Sequence, residues 1–158
     1  MELEGIQTLP ADAETVWTAL FDRAVLERAI PGCESLEQTS DTSFAAVVKL
    51  KIGPVSARFK GDVEISDIEP QKGCTLSGKG TGGIAGFAKG SARVMLESKF
   101  NETQLTYTAE ASVGGKLAAL GSRLIKSTAQ KLAGEFFAAF EEILSEDCAA
   151  ETVEKPAA

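Results

Sequence analysis

The chain has 158 residues, of which 44% are hydrophobic and 25% charged, a composition typical of one globular domain with its own core. Its formal net charge of -7 argues against nucleic-acid binding, because that function needs a basic face. The sequence contains no histidine, which excludes Ser-His-Asp and Cys-His nucleophilic sites and most zinc sites. Carboxylate, lysine and tyrosine chemistry stays open.

The cysteines and the hydropathy pattern bear on location. Cys33, Cys74 and Cys148 are an odd number of thiols in no metal-like spacing. No signal peptide is evident, and no apolar run approaches the ~20 residues that span a bilayer. These features predict a cytoplasmic protein with reduced thiols, which meets a membrane only from the surface.

The first third of the chain predicts one strand and two short helices. Residues 1–9 are expected to form a strand that ends at Pro10. Asp12 is a suitable N-cap for a helix that carries Val16, Trp17, Leu20 and Phe21 on one side. A second helix over residues 25–30 ends at Pro31-Gly32.

From residue 43 the apolar period changes to two. Residues 43–52 and 55–65 alternate between apolar and polar side chains around a turn at Gly53-Pro54. Further strands are predicted at 74–80, 88–100 and 105–113. This pattern is typical of an antiparallel sheet with one buried and one solvated face.

A long helix is predicted after Gly114-Gly115. Apolar residues recur every three or four positions along residues 115–145, which predicts one stripe that the sheet must bury. The chain is therefore expected to be an α+β protein, with a curved antiparallel sheet of six or seven strands around a C-terminal helix. Residues 1–146 form the predicted ligand-binding domain, and residues 147–158 a disordered polar tail.

The inner face of the last three strands contrasts small residues with large ones. If neighbouring strands pair as simple hairpins, the small residues meet at one end of the sheet and the large ones at the other. The small residues are Gly78, Gly80, Gly90, Ala92, Ala109 and Ala111, and the large ones are Leu96, Leu105 and Tyr107. Two interpretations stay open: a cavity that holds an apolar ligand, or close packing of the helix, aided by Gly121.

The cavity is expected beside the glycine-rich loop at residues 82–90, near the start of the helix. Val48 and Phe59 are expected on its floor and Phe87 at its mouth. The candidate ligand-binding residues are Val48, Phe59, Leu76, Gly80, Phe87, Ala92, Val94, Tyr107, Ala109, Ala111, Leu117, Leu120 and Leu124. We expect no catalytic residue and no metal ligand.

Two surface features have alternative interpretations. Ile84 and Phe87 in the loop either pack on the core or form a lid that touches a membrane or a partner. The final helix begins with bases and ends with acids, against the helix dipole. Its basic half is either a solvated face or a contact for anionic lipid or an acidic partner. These bases are Lys116, Arg123, Lys126 and Lys131.

Several short motifs resemble the CoxG-like family, which is named for a subunit of carbon monoxide dehydrogenase, over about residues 1–145. They are Asp12 to Trp17, Ile30-Pro31-Gly32-Cys33, Gly53-Pro54-Val55 and Phe59-Lys60-Gly61, with the opening strand, the glycine-rich loop and the long final helix. That family belongs to the START-like, or SRPBCC, helix-grip superfamily. The resemblance implies a helix-grip fold with a deep hydrophobic tunnel.

The same resemblance implies a function. It implies a non-catalytic accessory protein for a molybdenum hydroxylase of the carbon monoxide dehydrogenase type, in electron-acceptor delivery or membrane recruitment. The implied ligand is a quinone or another isoprenoid lipid, with no further cofactor. The tail from Glu146 to Ala158 has only Val153 as a sizeable apolar residue, which favours transient contact with the inner face of the cell membrane.

Two other functions stay open. One is a helix-grip enzyme of the cyclase or dehydratase type that acts on an apolar substrate, and the other is a pure protein adaptor. Against the enzyme, the assigned inner positions carry no Asp or Glu, and Tyr107 is their only titratable group. Cys33 is expected to be a small buried thiol after the helix stop, without a local base to activate it.

Overall fold

The computed structural model describes the backbone of residues 1–157 and the side chains through residue 146. Within these limits the chain forms seven strands and four helices. The strands are β1 Glu2–Leu9, β2 Cys33–Ser40, β3 Ser43–Ile52, β4 Val55–Glu69, β5 Gly73–Thr81, β6 Phe87–Lys99 and β7 Glu102–Gly114. The helices are α1 Ala13–Leu20, α2 Arg23–Ala29, α3 Lys116–Ala119 and α4 Ser122–Ala157, and a 3₁₀ turn covers Gly83–Ala85.

All seven strands belong to one antiparallel sheet in the order β1-β7-β6-β5-β4-β3-β2. Strands β2 to β7 form a meander, and β1 returns to pair with β7. This confirms the predicted α+β fold with a long C-terminal helix against an antiparallel sheet. The sequence does not predict strand β2, because β2 buries only Leu36 and so lacks apolar alternation.

The two short helices begin at aspartate caps and end at a glycine turn. Asp12 Oδ1 accepts a hydrogen bond from the Thr15 amide at 2.8 Å, and hydrogen bonding by the Thr15 side chain and amide lowers the pKa of the Asp12 carboxyl. After α2, Gly32 has a φ of +71°, and its carbonyl accepts a hydrogen bond from the Lys49 amide at 2.9 Å. The turn therefore ties the end of α2 to β3.

The main hydrophobic cluster lies at one end of the sheet, which we call the core end. Here the second half of α4 packs Phe140, Ile143 and Leu144 against the inner face of the sheet. From the other elements the cluster includes Leu9, Val16, Ala19, Leu36, Phe44, Ile65, Cys74, Val94, Leu96 and Leu105. This end of the domain is filled by side chains.

The prediction of one unbroken helix over residues 115–145 is wrong, because the structure has two helices there. This segment is divided into α3 and α4, because Gly121 has a φ of +92°, a left-handed conformation that ends helices. The apolar stripe continues across the break, so periodicity alone does not show it. The tail predicted at 147–158 lies beyond the residues whose side chains are described, and stays a prediction. No helix in the described part of the chain has the length and apolar character to cross a bilayer.

Candidate functional site

The strand register brings the small inner-face residues together. Gly90 pairs with Gly78 on one side and Ala111 on the other, and Ala92 lies opposite Ala109. The large residues Leu96 and Leu105 pair further along the same two strands, toward the core end. The predicted clustering of small residues at one end of the sheet is therefore confirmed.

Helix α4 does not pack on these glycines. A Cβ atom built on Gly78 would have only two atoms within 4 Å, Asp62 O at 3.4 Å and Val63 Cγ2 at 3.5 Å, and both belong to β4. The nearest atoms to a Cβ on Gly80 also belong to β4. A Cβ on Gly121 would meet nothing within 4 Å. Close packing of the helix therefore does not explain the small residues.

A second, separate group of buried side chains lies at the other end of the sheet, which we call the loop end. Ala85, Leu117 and Ile125 are 4%, 2% and 7% exposed, yet they are not part of the main cluster. Between the two packed ends, apolar residues of the inner face and of α4 are only half-buried. They include Val48, Leu50, Ala57, Phe59, Ala92, Ala109, Ala111, Leu120, Leu124 and Leu132. This partly covered apolar surface between the sheet and the helix is the candidate ligand cavity.

Three close contacts hold the loop end together. A Cβ on Gly82 would lie 2.6 Å from Phe59 Cε1, so the Phe59 ring covers the start of the loop between β5 and β6. A Cβ on Gly53 would lie 2.9 Å from Leu124 Cδ2, which places the β3–β4 turn on α4. The backbones at Gly86 and Gly115 also touch. The loop end therefore consists of the β3–β4 turn, residues 82–86 and residues 114–121.

The floor of the cavity differs from the expected one. Leu76 and Tyr107 pack against the main cluster, so they form the floor toward the core end. The Tyr107 ring stacks on Phe137 with centroids 5.5 Å apart, and it also covers Gly5, where a Cβ would lie 2.7 Å from the ring. Phe59, expected on this floor, lies instead at the loop end against Gly82.

The thiols of the site region are poor nucleophiles. Burial raises the pKa of Cys33, and the nearby Glu27 carboxylate raises it further. The Cys33 Sγ donates a hydrogen bond to the Ser35 carbonyl at 3.4 Å. Burial also raises the pKa of Cys74. Both residues are therefore thiols, not thiolates, near neutral pH.

A depression of about 910 Å³ is lined by residues of both faces of the sheet. Its lining combines the inner-face residues Phe44, Val63, Gly78, Gly90 and Ala111 with Ser77, Ser91 and several charged side chains. The charged residues there are Glu2, Asp62, Glu64, Lys79, Lys89 and Glu110.

The sequence model of CoxG, a family described as a subunit of carbon monoxide dehydrogenase, matches residues 5–145. The chain belongs to the CoxG family. A conserved protein from Geobacillus kaustophilus is 32% identical to this CoxG-family chain, with a TM-score of 0.87 over 92% of this chain and 96% of that one. No curated protein matches the chain.

More distant structures share the fold. A START superfamily protein from Mycobacterium smegmatis is 14% identical, with a TM-score of 0.70 over 92% of this chain and 97% of that one. The ZhuI aromatase/cyclase from Streptomyces sp. R1128 is also 14% identical, with a TM-score of 0.65 over 92% and 93% of the two chains. These likenesses show that the CoxG-family chain has the helix-grip fold.

The residues predicted to bind ligand fall into three groups in the CoxG-family structure. Ten lie half-buried on the inner face or beside the helices that cover it: Val48, Phe59, Leu76, Gly80, Ala92, Tyr107, Ala109, Ala111, Leu120 and Leu124. Val94 is buried in the main cluster and Leu117 is buried at the loop end, whereas Phe87 is exposed. Whether these residues bind ligand stays a prediction.

The position predicted for Phe87 is wrong. Phe87 lies two residues before the outward-facing Lys89 on β6, so its side chain is on the same outer face. Its ring lies over Gly114, its partner on β7. It is 51% exposed on the outer face of the loop end. Sequence reasoning also missed Leu50, Ala57 and Leu132 as lining residues, although the alternation of β3 and β4 and the helical period place them on the inner side.

Proposed function

We propose that this CoxG-family chain is a non-catalytic carrier that binds an apolar, isoprenoid quinone-like ligand between the sheet and α4. The observation that supports this most strongly is Gly78, where a Cβ would touch β4 and no atom of α4. Unfilled apolar space destabilises a fold, whereas a ligand that fills it gains about 0.8 kcal/mol for each CH₂ group it buries. A long apolar tail therefore suits the cavity.

The family description supports a partner. It names a component of carbon monoxide dehydrogenase, so the carrier would serve a molybdenum hydroxylase of that type. In this proposal it delivers the electron acceptor or brings the enzyme to a membrane, with peripheral contact. A carrier with an internal cavity suits delivery, because the ligand crosses the aqueous phase enclosed in protein.

The inner face supports a carrier in preference to an enzyme. The inward positions of β3 to β7 carry no Asp, Glu, Lys or Arg. The raised pKa of Cys33 leaves the thiol protonated, so it offers no nucleophile. Apart from Tyr107, whose ring stacks on Phe137, the inner face of the sheet offers no acid or base, so shape and apolar contact would hold the ligand.

Mass spectrometry of the purified protein tests this proposal. The protein is prepared without detergent, measured intact under native conditions, and then extracted with organic solvent. We expect one bound quinone or isoprenoid lipid per chain, or uptake of an added short-tailed menaquinone by the empty protein. A chain that is empty and takes up no menaquinone would support a pure adaptor instead.

A further inference from the structure

The charges of this acidic protein are unevenly distributed along the chain. Residues 45–61, 74–92 and 111–134 contain ten of the sixteen Lys and Arg residues and none of the 23 Asp and Glu residues. The formal net charge is -7, so the rest of the chain is strongly acidic. The three acid-free segments matter only if the fold brings them together.

The three acid-free segments meet at the loop end. The Gly53 contact with Leu124 joins the first to the third, and the Gly82 contact with Phe59 joins the second to the first. Arg58 forms an ion pair with Glu34 at 2.7 Å. The other nine bases are exposed and have no carboxylate within ion-pair distance among the described side chains. They are Lys49, Lys51, Lys60, Lys79, Lys89, Lys116, Arg123, Lys126 and Lys131.

The outer face of the sheet shows how quickly the charge changes away from the loop end. One cross-strand row holds Lys79 and Lys89 with Asp62. The next row toward the core end holds Glu64 and Glu110. Rows that are two residues apart along a strand lie about 7 Å from each other. Acidic side chains therefore begin within one row of the loop end, although the bases Arg93 and Lys99 lie further toward the core end on β6.

Two large apolar side chains project from the same end. Ile84 is 85% exposed in the 3₁₀ turn, and Phe87, three residues later, is 51% exposed. Exposed apolar groups surrounded by unpaired bases are typical of surfaces that lie in the interface of an anionic bilayer.

We propose that the loop end docks on an anionic lipid bilayer, with Ile84 and Phe87 among the headgroups and the bases of the loop end, among them Lys60, Lys116 and Arg123, against their phosphates. This deepens the proposed carrier function, on which it rests, by naming the surface from which the apolar ligand is taken. The net negative charge does not prevent docking. Bases outnumber acids at the loop end itself, where Asp62 shares a row with Lys79 and Lys89, and Glu64 and Glu110 lie about 7 Å further toward the core end.

Flotation with phosphatidylcholine vesicles, with and without phosphatidylglycerol, tests the docking. We expect the full chain to float only with phosphatidylglycerol vesicles and to be released by high salt. Replacing both Lys116 and Arg123 by glutamine is expected to lower the vesicle partition coefficient about 25-fold, because each base contributes about fivefold. Ile84→Asp lowers it further, and an 85% exposed side chain can be changed without unfolding the protein.

Phe100→Asp is the matched control. Phe100 is 99% exposed in the β6–β7 turn, at the core end of the sheet, so its substitution leaves vesicle binding unchanged. Equal loss in the Ile84 and Phe100 variants, or no dependence on phosphatidylglycerol, would overturn the proposal. Absence of vesicle binding would also overturn it, and would favour an acidic protein as the occupant. Ligand content is measured on the same samples. If the chain binds vesicles but is ligand-free and takes up no menaquinone, the carrier function is contradicted and the docking proposal is not.

Discussion

The ring of Phe59 in β4 lies directly under Gly82, so close that a Cβ on Gly82 would come within 2.6 Å of Phe59 Cε1. This contact joins the inner wall of the cavity to the loop at residues 82–86. Gly82 has a φ of -113°, so its backbone does not require glycine, and only the ring excludes a side chain. The contact therefore determines how tightly the loop closes on the cavity.

Gly82→Ala is expected to lift the loop away from Phe59. The added methyl group overlaps the ring, so we expect a loss of about 1–3 kcal/mol in stability and faster transfer of bound ligand to acceptor vesicles. The double variant Gly82→Ala, Phe59→Leu removes the overlap and should recover most of the stability. If the double variant loses as much stability as Gly82→Ala and Phe59→Leu lose together, the ring and the loop are not coupled.

Gly78 and Gly90 pair across β5 and β6, yet they should respond differently to alanine. A Cβ on Gly78 would have ordinary contacts at 3.4 Å, whereas one on Gly90 would lie 2.6 Å from Glu110 O. We expect Gly78→Ala to stabilise by about 0.5–1 kcal/mol, because alanine lowers the entropy of the unfolded chain. Gly90→Ala should destabilise. Chemical denaturation measures both, and a destabilised Gly78→Ala variant would contradict an empty space above Gly78.

The sequence predicts the strands with clear alternation and the small residues that pair in β5, β6 and β7, because both depend on local period and simple hairpins. It does not predict β2, which has one buried apolar residue, Leu36. It also does not predict the direction of Phe87, which changes with a shift of one residue in the start of β6. The break at Gly121 depends on a single φ angle. The apolar residues keep the same spacing on both sides of it, so the sequence pattern does not show the break.

The Asp12 cap makes a pH-dependent contribution to stability. Its carboxylate accepts the Thr15 amide bond, and its pKa in the folded state is below the unfolded value of about 3.9. A typical cap contributes about 1 kcal/mol. The part that depends on the carboxylate charge is complete above the unfolded pKa and lost as pH falls through the folded pKa. Asp12→Ala should therefore be less stable than wild type at pH 7, with a smaller difference in acid.

Asp12→Asn is the matched control for this cap. The amide oxygen still accepts from the Thr15 amide, so most of the stability is retained at pH 7. Because asparagine does not titrate, the pH-dependent part should disappear. Thermal unfolding from acid to neutral pH measures both variants. If the stability difference between wild type and Asp12→Ala does not change with pH, the lowered pKa of Asp12 is contradicted.

The thiols should react slowly at neutral pH. Burial raises the pKa of Cys33 and of Cys74, so the thiolate fraction of each is small. In a Cys148→Ser background, alkylation by iodoacetamide at pH 7 should be much slower than in the denatured chain and should accelerate as pH rises. Rapid alkylation of Cys33 in the folded protein would instead support a nucleophilic role and the enzyme alternative.

Ala92→Phe tests the ligand cavity most directly, because Ala92 lies half-buried on the inner face opposite Ala109. We would measure the melting temperature and the extracted ligand on the same preparation. Ala45→Phe, on the outward face of β3, is the control that adds the same ring elsewhere. The carrier function predicts a melting temperature within about 3 °C of wild type and a sharp loss of ligand for Ala92→Phe alone. A strongly lowered melting temperature with unchanged ligand content would contradict it.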